Sequence, residues 1–314
     1  MRPTVSRRAF FRLAGAAPVL AMPAAGAIAA AHTTDATQGA TSSLASVPVR
    51  RAGTVEIAFK SPTPRPNGLQ ATPQGLWIID QGAGSRATLV RYTDGLVIRA
   101  FDTDTVRPSG ITFDGEALWI GSTFSYENVR CDATTGAVLE RRPTPGCTTY
   151  AMAGDPPPRR SPLAPPPAAS TAAATPAATA PATAATATTP AAVRLTQAPH
   201  LRFQGAHGQE WRDGRLWTTS TSARSIYRMN PTTWVVEQRL SAPGPRPHGL
   251  AWEGRYLWHG DGDLNAFFKF DLDTGQIVEK IQLGNGDPLA HGLTIWEGTL
   301  WYCDDVGVVC RMTL

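Results

Sequence analysis

The chain has 314 residues, with 29 basic and 25 acidic side chains, and its 42% hydrophobic content suffices for a buried core, which excludes a wholly disordered protein. Residues 1–31 hold Arg2, Arg7, Arg8 and Arg12 and no acid, so the remainder is balanced at 25 charges of each sign. A nucleic-acid partner therefore loses its electrostatic motive.

Residues 1–31 read as a targeting segment. Ser6-Arg7-Arg8-Ala9-Phe10-Phe11 has the form of a twin-arginine export signal, and Leu13 to Ala31 is a weakly apolar run broken by Gly15, Pro18, Pro23 and Gly26. Those breaks, with small residues near Ala29-Ala30-Ala31, predict cleavage rather than a stable membrane anchor. The expected destination is the periplasm or the medium. Residues 32–52 are rich in Ser, Thr and Ala and read as a flexible lead-in to a domain over 53–314.

Val55 to Lys60 alternates apolar and polar residues, as a half-buried strand does. A motif then recurs: Arg65-Pro66-Asn67-Gly68-Leu69, Arg107-Pro108-Ser109-Gly110-Ile111, Gly205-Ala206-His207-Gly208-Gln209, Arg246-Pro247-His248-Gly249-Leu250 and Leu289-Ala290-His291-Gly292-Leu293. Each copy leads to a Leu-Trp pair, whose tryptophans are Trp77, Trp119, Trp217, Trp258 and Trp301. Apart from the 98 residues between Ser109 and His207, successive copies are 41 to 43 residues apart, the length of a propeller blade. After each Trp comes a short strand carrying Arg91, Arg130, Arg228, Lys269 or Arg311, and then, in every copy but the last, a closing strand. The strand at Val55 has no blade before it and the last copy has no closing strand, so the two are expected to pair and shut the ring.

Residues 142–205 read as a damaged repeat. Arg142-Pro143 opens it like the others, and its middle, residues 156–192, is nearly all Pro, Ala and Thr, which predicts a disordered surface insertion. The expected fold is an all-β, six-bladed β-propeller; the alternative is five blades plus a long loop. Four cysteines permit three pairings. A tight turn at Val306-Gly307 would set Cys303 opposite Cys310 for a disulfide, with Cys131 and Cys147 as a second pair.

In a propeller the motif strand is innermost, so the residues before the motif glycines form a ring at one channel mouth. That ring is Asn67, Ser109, His207, His248 and His291. Three histidines from consecutive blades are a ligand set for a divalent metal ion or a source of catalytic bases; a hydrated channel lining is the plainer alternative. Loops beside the ring carry Asp261 and Asp304, which could orient an imidazole or simply make turns. Arg65, Arg107 and Arg246 precede ring positions and would grip an anionic small molecule. Glu210 ranks below the histidines, and His32, His200 and His259 have no assigned role. The repeated tryptophans read as packing between blades.

The spacing from the motif to Leu-Trp, followed by a D-x-x-T-G-type turn at Asp271–Gly275 and Asp132–Gly136, resembles the virginiamycin B (streptogramin) lyase-like propellers. Arg65 to Leu69 resembles the corresponding segment of the SMP-30/gluconolactonase group. The resemblance implies an exported, metal-dependent lyase or lactone/ester hydrolase acting on a small molecule at the channel mouth. It departs from both families in the metal ligands, since their Glu-containing sets have no match here and only Asn67 lines up. A non-catalytic propeller binding a protein or a glycan is the alternative.

Overall fold

The computed structural model describes residues 44–82, 84–147 and 205–314. The twin-arginine segment and the 156–192 insertion lie outside the described residues. Strand β1 (Glu56–Lys60) comes first, followed by β2 (Pro66–Thr72), β3 (Gly75–Asp80), β4 (Arg86–Val90) and β5 (Val97–Asp102) as one antiparallel sheet. The second sheet is β6 (Pro108–Phe113), β7 (Ala117–Ser122), β8 (Glu127–Asp132) and β9 (Val138–Pro143). The third is β10 (Ala206–Arg212), β11 (Arg215–Ser220), β12 (Ser225–Met229) and β13 (Val236–Ser241), and the fourth β14 (Pro247–Glu253), β15 (Tyr256–Asp261), β16 (Ala266–Phe270) and β17 (Ile277–Gln282). The fifth joins β18 (Leu293–Trp296), β19 (Thr299–Cys303) and β20 (Val308–Thr313) to β1, with Glu56 opposite Arg311 and Lys60 opposite Val308. The N-terminal strand thus completes the last blade, as the repeat phase predicts, and no helix among the described residues is long and apolar enough to cross a membrane.

The described blades number five, which corrects the expectation of six. Arg142 and Pro143 end the closing strand β9 rather than begin a new repeat. The inner strand β10 then lies directly against β6, where a Cβ on Gly110 would stand 1.7 Å from the His207 carbonyl oxygen, and Thr123 Oγ1, just past β7, donates to the Ala206 carbonyl at 2.9 Å, leaving no space for a blade between them. The remainder of the damaged repeat, residues 148–204, lies outside the described residues.

The tryptophans explain why the sheets stack into a ring. Trp77 packs with Ile111 and Leu118 of the second blade, Trp119 with Leu216 and Met229 of the third, and Trp217 with Leu250 and Phe268 of the fourth. Trp258 packs with Leu293 and Leu300 of the fifth, and Trp301 with Leu69 and Leu76 of the first. All five are at most 5% exposed, so each blade buries one large indole in its successor and the circle closes without a gap.

Two further expectations change. The lead-in is structured from Leu44 onward: Val49 bridges Lys280 in parallel, and Lys280 Nζ donates to the Leu44 carbonyl at 2.7 Å. Residues 44–53 therefore strap the outer edge of the fourth blade before entering the fifth, covering an edge that would otherwise expose unpaired backbone groups. The cysteine pairing also shifts. Tyr302, not Cys303, is opposite Cys310, while Cys303 faces Val309. Neighbours along a strand point to opposite faces, so Cys303 packs toward the first blade and Cys310 toward the fourth, and all four cysteines are free thiols.

Candidate functional site: the histidine ring at the channel mouth

The pairing register is interrupted between Pro66 and Gly68, Pro108 and Gly110, Ala206 and Gln209, and Pro247 and Leu250. Each interruption falls on the ring residue. A bulge re-aims the side chain it contains, and here it turns Asn67, Ser109, His207 and His248 together at the mouth. His291 takes the fifth place just ahead of β18, where its N–H donates to the Cys303 carbonyl at 3.1 Å. With five blades, Ser109 and His207 become neighbours and the ring is continuous.

Immediately below, five glycines close the channel. A Cβ on Gly110 would stand 1.7 Å from the His207 carbonyl oxygen, and one on Gly208 would stand 1.8 Å from that of His248. A Cβ on Gly68, Gly249 or Gly292 would meet a neighbour's backbone at 2.5 to 2.6 Å. The space these strands enclose is too narrow for a water molecule.

The imidazoles stand in a row. Ring centroids of His207 and His248 are 4.9 Å apart and edge-on, and those of His248 and His291 are 4.3 Å apart. None is more than 4% exposed. Burial pushes the pKa of His207 and His291 down to about 4 and holds that of His248 well below its ordinary value, with the neighbouring imidazoles and Arg246 adding to the effect. All three are consequently neutral bases at physiological pH. His207 Nδ1 donates to the Gly205 carbonyl at 3.0 Å and His248 Nδ1 to that of Arg246 at 2.9 Å. His291 Nδ1 instead faces Asn67 Nδ2 at 3.4 Å, and Ser109 Oγ donates to Asn67 Oδ1.

The acids divide into two kinds. Asp261 accepts the amides of Arg246, Asp263 and Leu264, and Asp304 accepts those of Val306, Gly307 and Val308. Both carboxylates are engaged in making the loops. The acids that approach the ring are their loop neighbours Asp305 and Asp263, in place of the expected Asp261 and Asp304. Asp305 Oδ2 is 3.9 Å from both His291 Nε2 and Arg246 Nη2, and Asp263 Oδ1 is 3.8 Å from Arg246 Nη1. Their distinguishing signal was position: the first acid of each loop holds backbone amides, and a later one is left for side-chain contacts. Arg65 and Arg107 are exposed, and among the described residues neither has an acid within ion-pair distance. Arg107 adopts a left-handed backbone with φ 46° and lies over the Phe124 ring.

No protein-family model matches the chain, and no curated protein sequence matches it either. Solved structures do. The fold is a shared one. Glutaminyl cyclase of Myxococcus xanthus aligns over 85% of this chain and 98% of its own, with a TM-score of 0.56 at 10% identity. A catalytically inactive virginiamycin B lyase from Staphylococcus aureus, bound to quinupristin, aligns over 79% of this chain and 66% of its own, with TM-score 0.43 and 17% identity. A streptogramin B lyase aligns over 79% and 65%, with TM-score 0.43 and 19% identity. The likeness to the glutaminyl cyclase shows a shared propeller fold, which by itself leaves the chemistry open.

A divalent ion held by all three histidines needs a nitrogen lone pair from each. His207 and His248 meet that condition, because their Nδ1–H bonds to carbonyls put the proton on Nδ1 and the lone pair on Nε2, as in metal-binding imidazoles. His291 does not, because the Asn67 amide occupies its Nδ1. Among the described residues no group of three or more His, Cys, Asp or Glu side chains has metal-holding geometry.

Proposed function

We propose that the protein is an exported enzyme, a lyase or a lactone or ester hydrolase, that acts on a small anionic molecule at the histidine mouth. The observation that carries this reading is the row of three neutral, buried imidazoles on consecutive blades, two of them, His207 and His248, set at breaks in strand pairing. Ordinary packing has no need of such a row, and a site that moves protons does. His248, between the other two, is the general base. Arg65 and Arg107 bind the carboxylate or other anionic group of the substrate, and Arg246 supplies positive charge beside the ring. The geometry supports acid–base chemistry without routing a step through a metal. Export by the twin-arginine route to the periplasm or the medium rests on Ser6–Phe11.

The test is turnover of a panel of acidic lactones, aryl esters and carboxylates with a leaving group β to the acid. His248→Gln should abolish turnover of whichever substrate is accepted, and Arg65→Gln should raise its KM with a smaller effect on kcat. Equal rates for wild type and His248→Gln would remove the mouth from the chemistry. Inactivity of the wild type on the whole panel, with His248-dependent retention on an immobilised glycan or protein, would make the mouth a binding surface.

A further inference from the structure

We propose that Asn67, itself locked by Ser109, is a positioning residue that holds His291 as its Nε2–H tautomer, so that the mouth presents one N–H donor beside two imidazole lone pairs. The proposal rests on the acid–base reading above and gives the site a division of labour. His291 is the hydrogen-bond donor, and His248 with His207 are the acceptors.

The argument follows the hydrogens around the ring. Ser109 Oγ donates to Asn67 Oδ1, and the amide stands with its oxygen toward the second blade and its nitrogen toward the fifth. Asn67 Nδ2 then lies 3.4 Å from His291 Nδ1. An amide nitrogen carries only donors, so Nδ1 must be the acceptor, and in a neutral imidazole the proton goes to Nε2. That Nε2 is fully buried and has no hydrogen-bond partner; Asp305 Oδ2, at 3.9 Å, is beyond hydrogen-bond reach. A buried N–H without a partner is costly, and a substrate atom arriving at the mouth would satisfy it. The opposite logic applies next door. A carbonyl can only accept, so Gly205 and Arg246 force Nδ1–H on His207 and His248 and leave their Nε2 atoms as lone pairs.

This pairing suits an elimination. His248 Nε2 takes the proton from the carbon beside the substrate carboxyl or carbonyl. The released pair forms the double bond as the bond to the leaving group breaks, the leaving group takes that proton back from the His248 imidazolium, and the His291 Nε2–H hydrogen-bonds the substrate oxygen on which negative charge develops. One proton enters the protein and one departs, with no oxidant or reductant required. The same two groups serve an ester or lactone, with water as the proton source.

The tautomers are read from long-range proton–nitrogen correlation spectra of the protein labelled with nitrogen-15 in histidine, at pH 7.5 and without substrate. Wild type should show His291 as Nε2–H and both His207 and His248 as Nδ1–H. Asn67→Asp places an acceptor beside His291 Nδ1 and should move the proton there, leaving the other two histidines unchanged. Ser109→Ala, a small change that preserves packing, should free the amide to turn and give His291 in both forms. A wild-type His291 found as Nδ1–H overturns the proposal, as does a His291 signal that neither variant moves. Because no substrate is involved, failure of the turnover panel leaves this result standing, and the reverse holds as well.

Discussion

The His207 carbonyl oxygen occupies the place where Gly110 would carry a side chain, 1.7 Å from its ideal Cβ. The same relation, carbonyl of a ring residue against the glycine of the preceding blade, recurs between Gly208 and His248. These glycines are therefore what allows the inner strands to close into a ring this small. Gly110→Ala should cost about 3 kcal/mol or more, since backbone cannot yield as a flexible side chain would. Gly286→Ala, where a Cβ would meet nothing within 4 Å, should stay within about 0.5 kcal/mol of wild type. Urea melts of the two variants check this. Equal losses would show that the channel glycines can be filled.

Much of this ring was legible before any coordinates. The 42-residue spacing between Asn67 and Ser109 places one ring residue per blade, and the Leu-Trp pairs mark the indoles buried between blades. The blade count was not legible, because Arg142-Pro143 has the letters of a motif while serving as the end of β9. What decides the count is the direct approach of β10 to β6, a contact between segments separated by the insertion. The mouth acids were misjudged for a related reason. Asp261 and Asp263 look alike in sequence, and only the backbone amides around Asp261 show which one is committed to the loop.

Arg50 joins the strap to the fourth blade. Its guanidinium reaches Glu253 at 2.8 Å and Glu279 at 3.1 Å, and it lies over the Trp258 ring at 5.5 Å. Lys269 approaches the same two carboxylates at 2.6 and 3.3 Å, which together with Arg50 holds the Glu253 pKa down at about 2. Arg50→Ala should lower stability by about 1–2 kcal/mol, through lost pairing and lost cover of the indole. A double-mutant cycle with Glu253→Gln should return a coupling of about 1 kcal/mol. Additive effects would mean that the strap is held by its backbone bonds to Lys280 alone.

Cys303 and Cys310 point to opposite faces of their sheet, so no disulfide should link them even after export to an oxidising compartment. Burial also pushes the thiol of Cys310 up to about 11 and that of Cys131 up to about 12, which keeps both protonated and unreactive. In the folded protein, alkylation at pH 8 should be slow at all four cysteines, and after unfolding in denaturant each should add one label. Mass mapping that recovers a cross-linked 303–310 peptide from native protein would require a different register between β19 and β20.

Two buried groups should shape stability against pH from opposite sides. His259 is wholly buried and its pKa is pushed down to about 3, while burial pushes Glu210 up to about 8. The unfolded chain binds a proton on His259 below about 6.5 and the folded protein does not, so stability falls as pH drops from 6.5 toward 3. Glu210 behaves in the opposite sense. Folded, it keeps its proton up to about 8, whereas unfolded it ionises near 4.5, so its contribution is present at low pH and lost as pH rises to 8. Each group contributes at most about 1.4 kcal/mol per pH unit within its window. The ring histidines add to the acid side, which places the optimum near pH 6.5. At the position of His259 the first and second blades carry Ile78 and Ile120, so His259→Ile should raise stability at pH 5 and flatten the acid limb. Glu210→Gln should flatten the limb between pH 6.5 and 8 and leave the acid limb steeper. Denaturation midpoints across pH 4.5 to 8.5 for the three proteins check both slopes, and an alkaline limb unchanged by Glu210→Gln would mean that this carboxyl is already ionised when folded.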